Sequence, residues 1–170
     1  MKATRSFLIP QPTTSASATC KPFRYFHDTV ENRLAIRSML FTGFQKSLYN
    51  VLKFDSNPER LFAIVLENDP QVLKWLKPAK GDFRIFHSHD EEYIPDFVVE
   101  TADARYLCEP KASNELDDPI VQAKTRAATL WCARATEHAG GKPWKYVLIP
   151  HDAIDESKTL GGLVAGWGVG

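Results

Sequence analysis

Apolar positions along this chain fall into a helix-like rhythm first and a strand-like one later. Leu34, Ile36, Met39, Leu40, Phe44 and Leu48 recur at roughly helical intervals behind Asp28-Thr29-Val30-Glu31, which has the spacing of a capping box. A helix broken at Gly43 is expected there. Ser56-Asn57-Pro58-Glu59 supplies a polar cap and a proline suited to a first helical turn, followed by Leu61, Phe62, Val65 and Leu66. Residues 70–76 form a short amphipathic segment stopped by Pro78, and residues 82–87 alternate as a strand does. Two further strands, at 94–101 and 105–111, complete an expected meander. From Asp117-Asp118-Pro119, the positions Ile120, Lys124, Ala127, Ala128, Trp131 and Ala135 mark a long helix ending at Gly140-Gly141. Tyr146-Val147-Leu148-Ile149, bounded by Pro143 and Pro150, has the unbroken apolar character of a strand covered on both faces. Weak helical character follows from Asp152.

This order predicts an α/β fold with a central mixed sheet of about four strands flanked by helices. It divides into a leader at 1–27, a domain at 28–160 and a glycine-rich tail at 161–170.

The two strands around residues 101–104 carry the unusual charges. Antiparallel pairing about Thr101-Ala102-Asp103-Ala104 sets Glu100 opposite Arg105, Val98 opposite Leu107, and Asp96 opposite Glu109. Lys111, two residues from Glu109, shares its face. Opposed carboxylates destabilise a ladder unless something neutralises them, and a bound cation is one such neutraliser. Magnesium takes one or two carboxylates and completes its shell with water and phosphate oxygens. The bland alternative is a solvated sheet face with a surface ion pair.

Composition narrows the setting. The 170 residues, 44% hydrophobic, suffice for one domain core, and 21 basic against 21 acidic residues leave no basic footprint of a self-sufficient nucleic-acid binder. Three widely spaced cysteines match neither a disulfide framework nor a zinc site, which fits a reducing, cytoplasmic setting. No apolar run reaches membrane-spanning length, and no GxxxxGK[ST] phosphate loop is present.

Ile94-Pro95-Asp96 followed by Glu109-Pro110-Lys111 resembles the PD-(D/E)xK nuclease motif. With Ser56-Asn57-Pro58-Glu59-Arg60-Leu61-Phe62, Val72-Leu73-Lys74-Trp75, Pro95-Asp96-Phe97 and Val121-Gln122-Ala123-Lys124, the chain is similar over residues 30–155 to a specific domain. That domain is the C-terminal endonuclease domain of the Res (restriction) subunit of type III restriction enzymes. The resemblance implies a restriction-endonuclease-like core and Mg2+-dependent, or Mn2+-dependent, cleavage of double-stranded DNA. Asp96 and Glu109 would be metal ligands and Lys111 the catalytic lysine. Glu59 would be a further metal-binding acid, and Gln122 and Lys124 auxiliary or DNA-contacting residues. Expected partners are DNA, a modification subunit and a helicase/ATPase motor polypeptide, since the motor is not encoded here.

Pro110 departs from the pattern, because a proline lacks the strand N–H, and it is expected to offset Lys111 from ideal alternation. Two other readings compete. His87-Ser88-His89 with Glu91 and Glu92 could ligate a transition metal. A non-catalytic DNA-binding or assembly module would keep the fold and lose the cleavage.

Overall fold

The computed structural model describes residues 23–82, 84–87 and 91–169. In chain order these form β1 (Phe23–Tyr25), a 3-10 turn at Arg33–Ser38, β2 (Leu40–Thr42), β3 (Val51–Leu52), α1 (Asn57–Asn68) and β4 (Val72–Leu76). There follow β5 (Ile85–Phe86), β6 (Glu92–Tyr93), β7 (Phe97–Thr101), β8 (Arg105–Lys111), α2 (Pro119–Ala139), β9 (Trp144–Pro150), α3 (Leu160–Trp167) and β10 (Gly168–Val169). The protein is mixed α/β. Its main sheet has five strands in the order β10-β9-β8-β7-β4, with β8 and β9 parallel and the other pairs antiparallel.

Both long helices start where their sequences say, and α2 also stops there. Ser56 caps α1 by accepting the Glu59 N–H at 3.2 Å, and Asp118 caps α2 by accepting the Ile120 N–H at 2.7 Å. The α2 helix ends at Gly140 and Gly141, whose φ values of 62° and 78° suit only a residue without a Cβ. Its inward face, Val121, Thr125, Ala128 and Cys132, is narrow and mostly small, which lets the helix sit close on the sheet.

Alternation along β7 and β8 splits the core into two layers. Phe97, Val99 and Cys108 join the layer beneath α1 and α3, with Phe62, Trp75, Val147, Leu160 and Leu163. Val98 and Leu107 face the other way, toward Ala128, Cys132, Tyr93 and Tyr146. Strand β9 feeds both layers, as its continuous apolar run predicts. The Asp69 carboxylate accepts the Leu160 N–H at 2.7 Å and so ties the end of α1 to the start of α3.

Two expected elements are corrected. Residues 28–48 do not make a helix; they give the short 3-10 turn, then β2, which pairs with β1 and β3 in a separate three-stranded sheet. The apolar residues there do not share one face, since Leu34 is exposed while Ile36 and Phe41 are buried. Gly43, at φ 92°, lies so close to the Tyr25 ring that an added Cβ would meet it at 2.6 Å. The first meander strand is also not 82–87. Only Ile85–Phe86 is extended there, in a two-stranded ladder with β6, and Phe83 lies outside the described residues.

The meander strand is β4 instead. A register irregularity between Val72 and Lys74 gives its buried and exposed positions the order Val72 in, Leu73 and Lys74 out, Trp75 in. That order hides a period of two.

Among the described residues, no helix is long and apolar enough to cross a membrane.

Candidate functional site at one end of the sheet

The last residue of β4, the first of β7 and the last of β8 and β9 meet at one end of the sheet, where the N-terminus of α1 also arrives. The β7–β8 ladder has the register expected from the turn: Glu100 with Arg105, Val99 with Tyr106, Val98 with Leu107 and Phe97 with Cys108. Asp96 and Glu109 occupy the next rung. There the Asp96 N–H donates to Glu109 Oε2 at 3.3 Å, and the Tyr93 hydroxyl donates to the same oxygen at 2.8 Å.

Both carboxyls carry the consequence of burial, and Asp96 also that of neighbouring like charge. Burial raises Asp96, Glu109 and Glu59 add to it, and Lys77 and Lys111 oppose it, leaving Asp96 pushed up to about 8. Burial likewise raises Glu109, against the Tyr93 hydrogen bond, the Lys111 charge, the Asp96 N–H and the Lys124 charge. Burial and the adjacent Glu109 keep the Tyr93 phenol protonated well above its ordinary range, so it remains a donor.

Pro110 does not disturb this arrangement. It lies beyond the last β7–β8 pair, where no ladder N–H is required, and the parallel ladder to β9 runs unbroken through Pro110 with Ile149 and Lys111 with Pro150. Lys111 therefore keeps its register, and its ammonium stands 3.7 Å from Glu115.

The other residues singled out in the sequence separate by position. Lys124 comes from α2 to within 5.8 Å of the Tyr93 ring centre, on the Glu109 side. Gln122 is turned to the preceding loop, donating to the Leu116 carbonyl at 2.7 Å. Glu59 is buried, with both oxygens engaged: Oε1 accepts from the Ser56 hydroxyl at 3.2 Å, and Oε2 accepts from the Asp55 N–H at 3.2 Å and Lys77 Nζ at 2.8 Å.

Lys77 and His151 join this end of the sheet without having been legible in the sequence. Lys77 follows β4, rests 5.7 Å from the Phe97 ring centre and also stands 3.6 Å from Asp55. Burial works against its charge, but Glu59, Asp96 and Asp55 outweigh burial and raise it. His151 directly follows Pro150, the partner of Lys111, and burial lowers it despite the Pro110 backbone and the charges of Glu59 and Glu115. Knowing that β8 and β9 are parallel and end together would have found His151. Finding Lys77 required knowing that β4 is a strand.

Asp96 and Glu109 could hold a hard cation. Among the described residues no donor reaches the Asp96 carboxylate, and both hydrogen bonds to Glu109 fall on Oε2, leaving Oε1. Among the described residues no three His, Cys, Asp or Glu side chains converge as ligands, so the protein offers a pair of carboxylates here rather than a cage. In the histidine alternative, His87 stands 3.6 Å from Glu91, while Ser88 and His89 lie outside the described residues.

Hollows of about 570 and 490 Å3 lie away from these side chains, between α2 and β9–β10 and on the β4–β7 sheet face. Neither contains the chemistry described above; a smaller hollow of about 290 Å3 has Lys77, Lys53 and Tyr49 in its wall. No protein-family model matches this sequence, and no curated protein matches it.

Proposed function

We propose that this chain is a metal-dependent endodeoxyribonuclease domain, similar to the endonuclease domain of type III restriction Res subunits, which hydrolyses DNA phosphodiester bonds. The observation that carries the reading is the Asp96–Glu109 rung, two carboxyls raised by burial, with the Asp96 backbone N–H donating to Glu109 and Lys111 two residues along the same strand. The element order α1-β4-β7-β8-α2-β9, with three antiparallel strands and a fourth added in parallel, supports a restriction-endonuclease-like core.

Asp96 and Glu109 would be the ligands of Mg2+ or Mn2+, which when bound supplies an acidified water and neutralises charge on the phosphate. Tyr93 helps to fix the Glu109 side chain through its hydrogen bond to Oε2, the oxygen that also accepts the Asp96 N–H. Lys111 is a compact cation at the strand end, suited to a non-bridging phosphate oxygen as its negative charge grows. Lys124 adds positive potential on the Glu109 side. Glu59 is engaged by its cap and by Lys77, so its first role is to anchor α1 and Lys77.

The balanced overall charge gives the chain little nonspecific attraction to DNA alone, which favours a second reading, an assembly or DNA-binding module without cleavage that relies on a partner to engage DNA. One experiment separates the two: purified protein is incubated with supercoiled plasmid and MgCl2 or MnCl2, beside Asp96→Ala and Lys111→Ala. The nuclease reading expects nicking by the wild type and at least about a hundredfold loss in both variants. Equal nicking by all three removes the site assignment. No nicking by any, with a motor and ATP supplied, leaves the binding module.

A further inference from the structure

Glu59, Asp96, Glu109 and Asp55 contribute four carboxyls around one end of the sheet, and one ammonium, that of Lys77, stands among them in direct contact with two. Lys77 Nζ lies 2.8 Å from Glu59 Oε2, 3.6 Å from Asp55 and 5.7 Å from the Phe97 ring centre, and the charge of Asp96 also acts on it. Its side chain is only 16% exposed, so it cannot swing freely into water. Lys111 differs, since its own partner is Glu115 on the outer side.

We infer that Lys77 is a resident counter-cation that holds Glu59 away from the Asp96–Glu109 pair and thereby limits how tightly that pair takes a divalent cation. The inference rests on the metal-dependent reading above. Three observations converge on it. Both Glu59 oxygens are engaged, by Lys77, the Asp55 N–H and Ser56, so turning the acid toward Asp96 would break these contacts. Glu59, Asp96 and Glu109 do not converge as a ligand trio among the described residues, although the charges of Glu59 and Asp96 act on each other. Finally, a fixed positive charge beside a cation site repels the incoming ion with an energy that falls only slowly with distance where water is scarce.

Removing the Lys77 charge therefore lowers repulsion and takes away the shortest of the three contacts that hold Glu59, leaving only the neutral Ser56 hydroxyl and Asp55 N–H, which a divalent cation can outcompete. An arginine in its place would keep the charge and the contact with Glu59.

The test is titration of the intact chain with MnCl2, following free Mn2+ by electron paramagnetic resonance at fixed pH and salt, with folding of each protein checked by circular dichroism. Lys77→Met should bind Mn2+ at least about fivefold more tightly than the wild type. Lys77→Arg should stay near the wild type, and Glu59→Gln added to Lys77→Met should remove most of the gain. Lys77→Gln offers a second neutral variant that retains a donor to Glu59; it should gain less than Lys77→Met. Wild-type binding with no gain in either neutral variant overturns the role of Lys77 and leaves the metal centre standing. An equal gain in Lys77→Arg also overturns it. Mn2+ binding by none of the proteins overturns both this inference and the metal-dependent reading beneath it.

Discussion

The backbone N–H of Asp96 donates to the Glu109 carboxylate at 3.3 Å, one rung beyond the paired residues Phe97 and Cys108. Two acids that ought to repel across a ladder are thus joined where the ladder stops, with Glu109 buried and Asp96 partly so. The protein keeps them there at the expense of their ionisation.

That expense has a pH signature. Asp96 is pushed up to about 8 from an ordinary 3.8, so between those values the folded chain retains a proton that the unfolded chain has released. The contribution is fully present below the ordinary value and is lost as pH rises through the raised one, with a slope of up to about 1.4 kcal/mol per pH unit. Urea midpoints should fall from about pH 5 to about pH 8 in metal-free buffer, and Asp96→Asn should flatten the trend. A trend of the same size in Asp96→Asn would locate the titration elsewhere.

Tyr93 holds Glu109 through a buried bond of 2.8 Å to the same oxygen that accepts the Asp96 N–H. Tyr93→Phe should destabilise the fold by about 1–3 kcal/mol, since it leaves the Glu109 oxygen with one donor fewer. Chemical denaturation measures this, and an unchanged midpoint would mean that Glu109 finds another donor.

The Glu59–Lys77 pair is buried enough that losing one partner strands the other, at 9% and 16% side-chain exposure. Glu59→Gln and Lys77→Met should each cost about 1–3 kcal/mol, and the double substitution should cost clearly less than their sum. A double-mutant cycle in urea gives the coupling directly; additive effects would show that the pair contributes nothing as a pair.

Lys111 and Gln122 are predicted to part company in activity. Lys111→Ala should lower plasmid nicking by at least about a hundredfold, while Gln122→Ala, whose amide serves the Leu116 carbonyl, should remain within about threefold of wild type. Equal losses in the two variants would mean that Gln122 leaves its loop to reach DNA.

Helix capping supplies a control remote from the site. Asp118→Ala removes the acceptor for the Ile120 N–H and should cost about 1 kcal/mol with nicking unchanged per folded molecule.

Local chemistry by itself determined a good part of this protein. Ser56 and Asp118 mark the starts of α1 and α2, the glycines at 140 and 141 mark the end of α2, and the turn at 101–104 leaves one register that seats Asp96 against Glu109. Each of these rests on neighbours within a few residues, so each is written in the chain. Tertiary structure alone decided the rest. Residues 28–48 have helical spacing, yet Phe41 gains more by pairing with Leu52 in a separate sheet, and the glycine at 43 fits against Tyr25. The irregular register of β4 erased its alternation and concealed Lys77, while the parallel pairing of β8 with β9 brought His151 to the site. Burial and long-range pairing depend on which distant surface is present to cover a residue, and no local pattern records that.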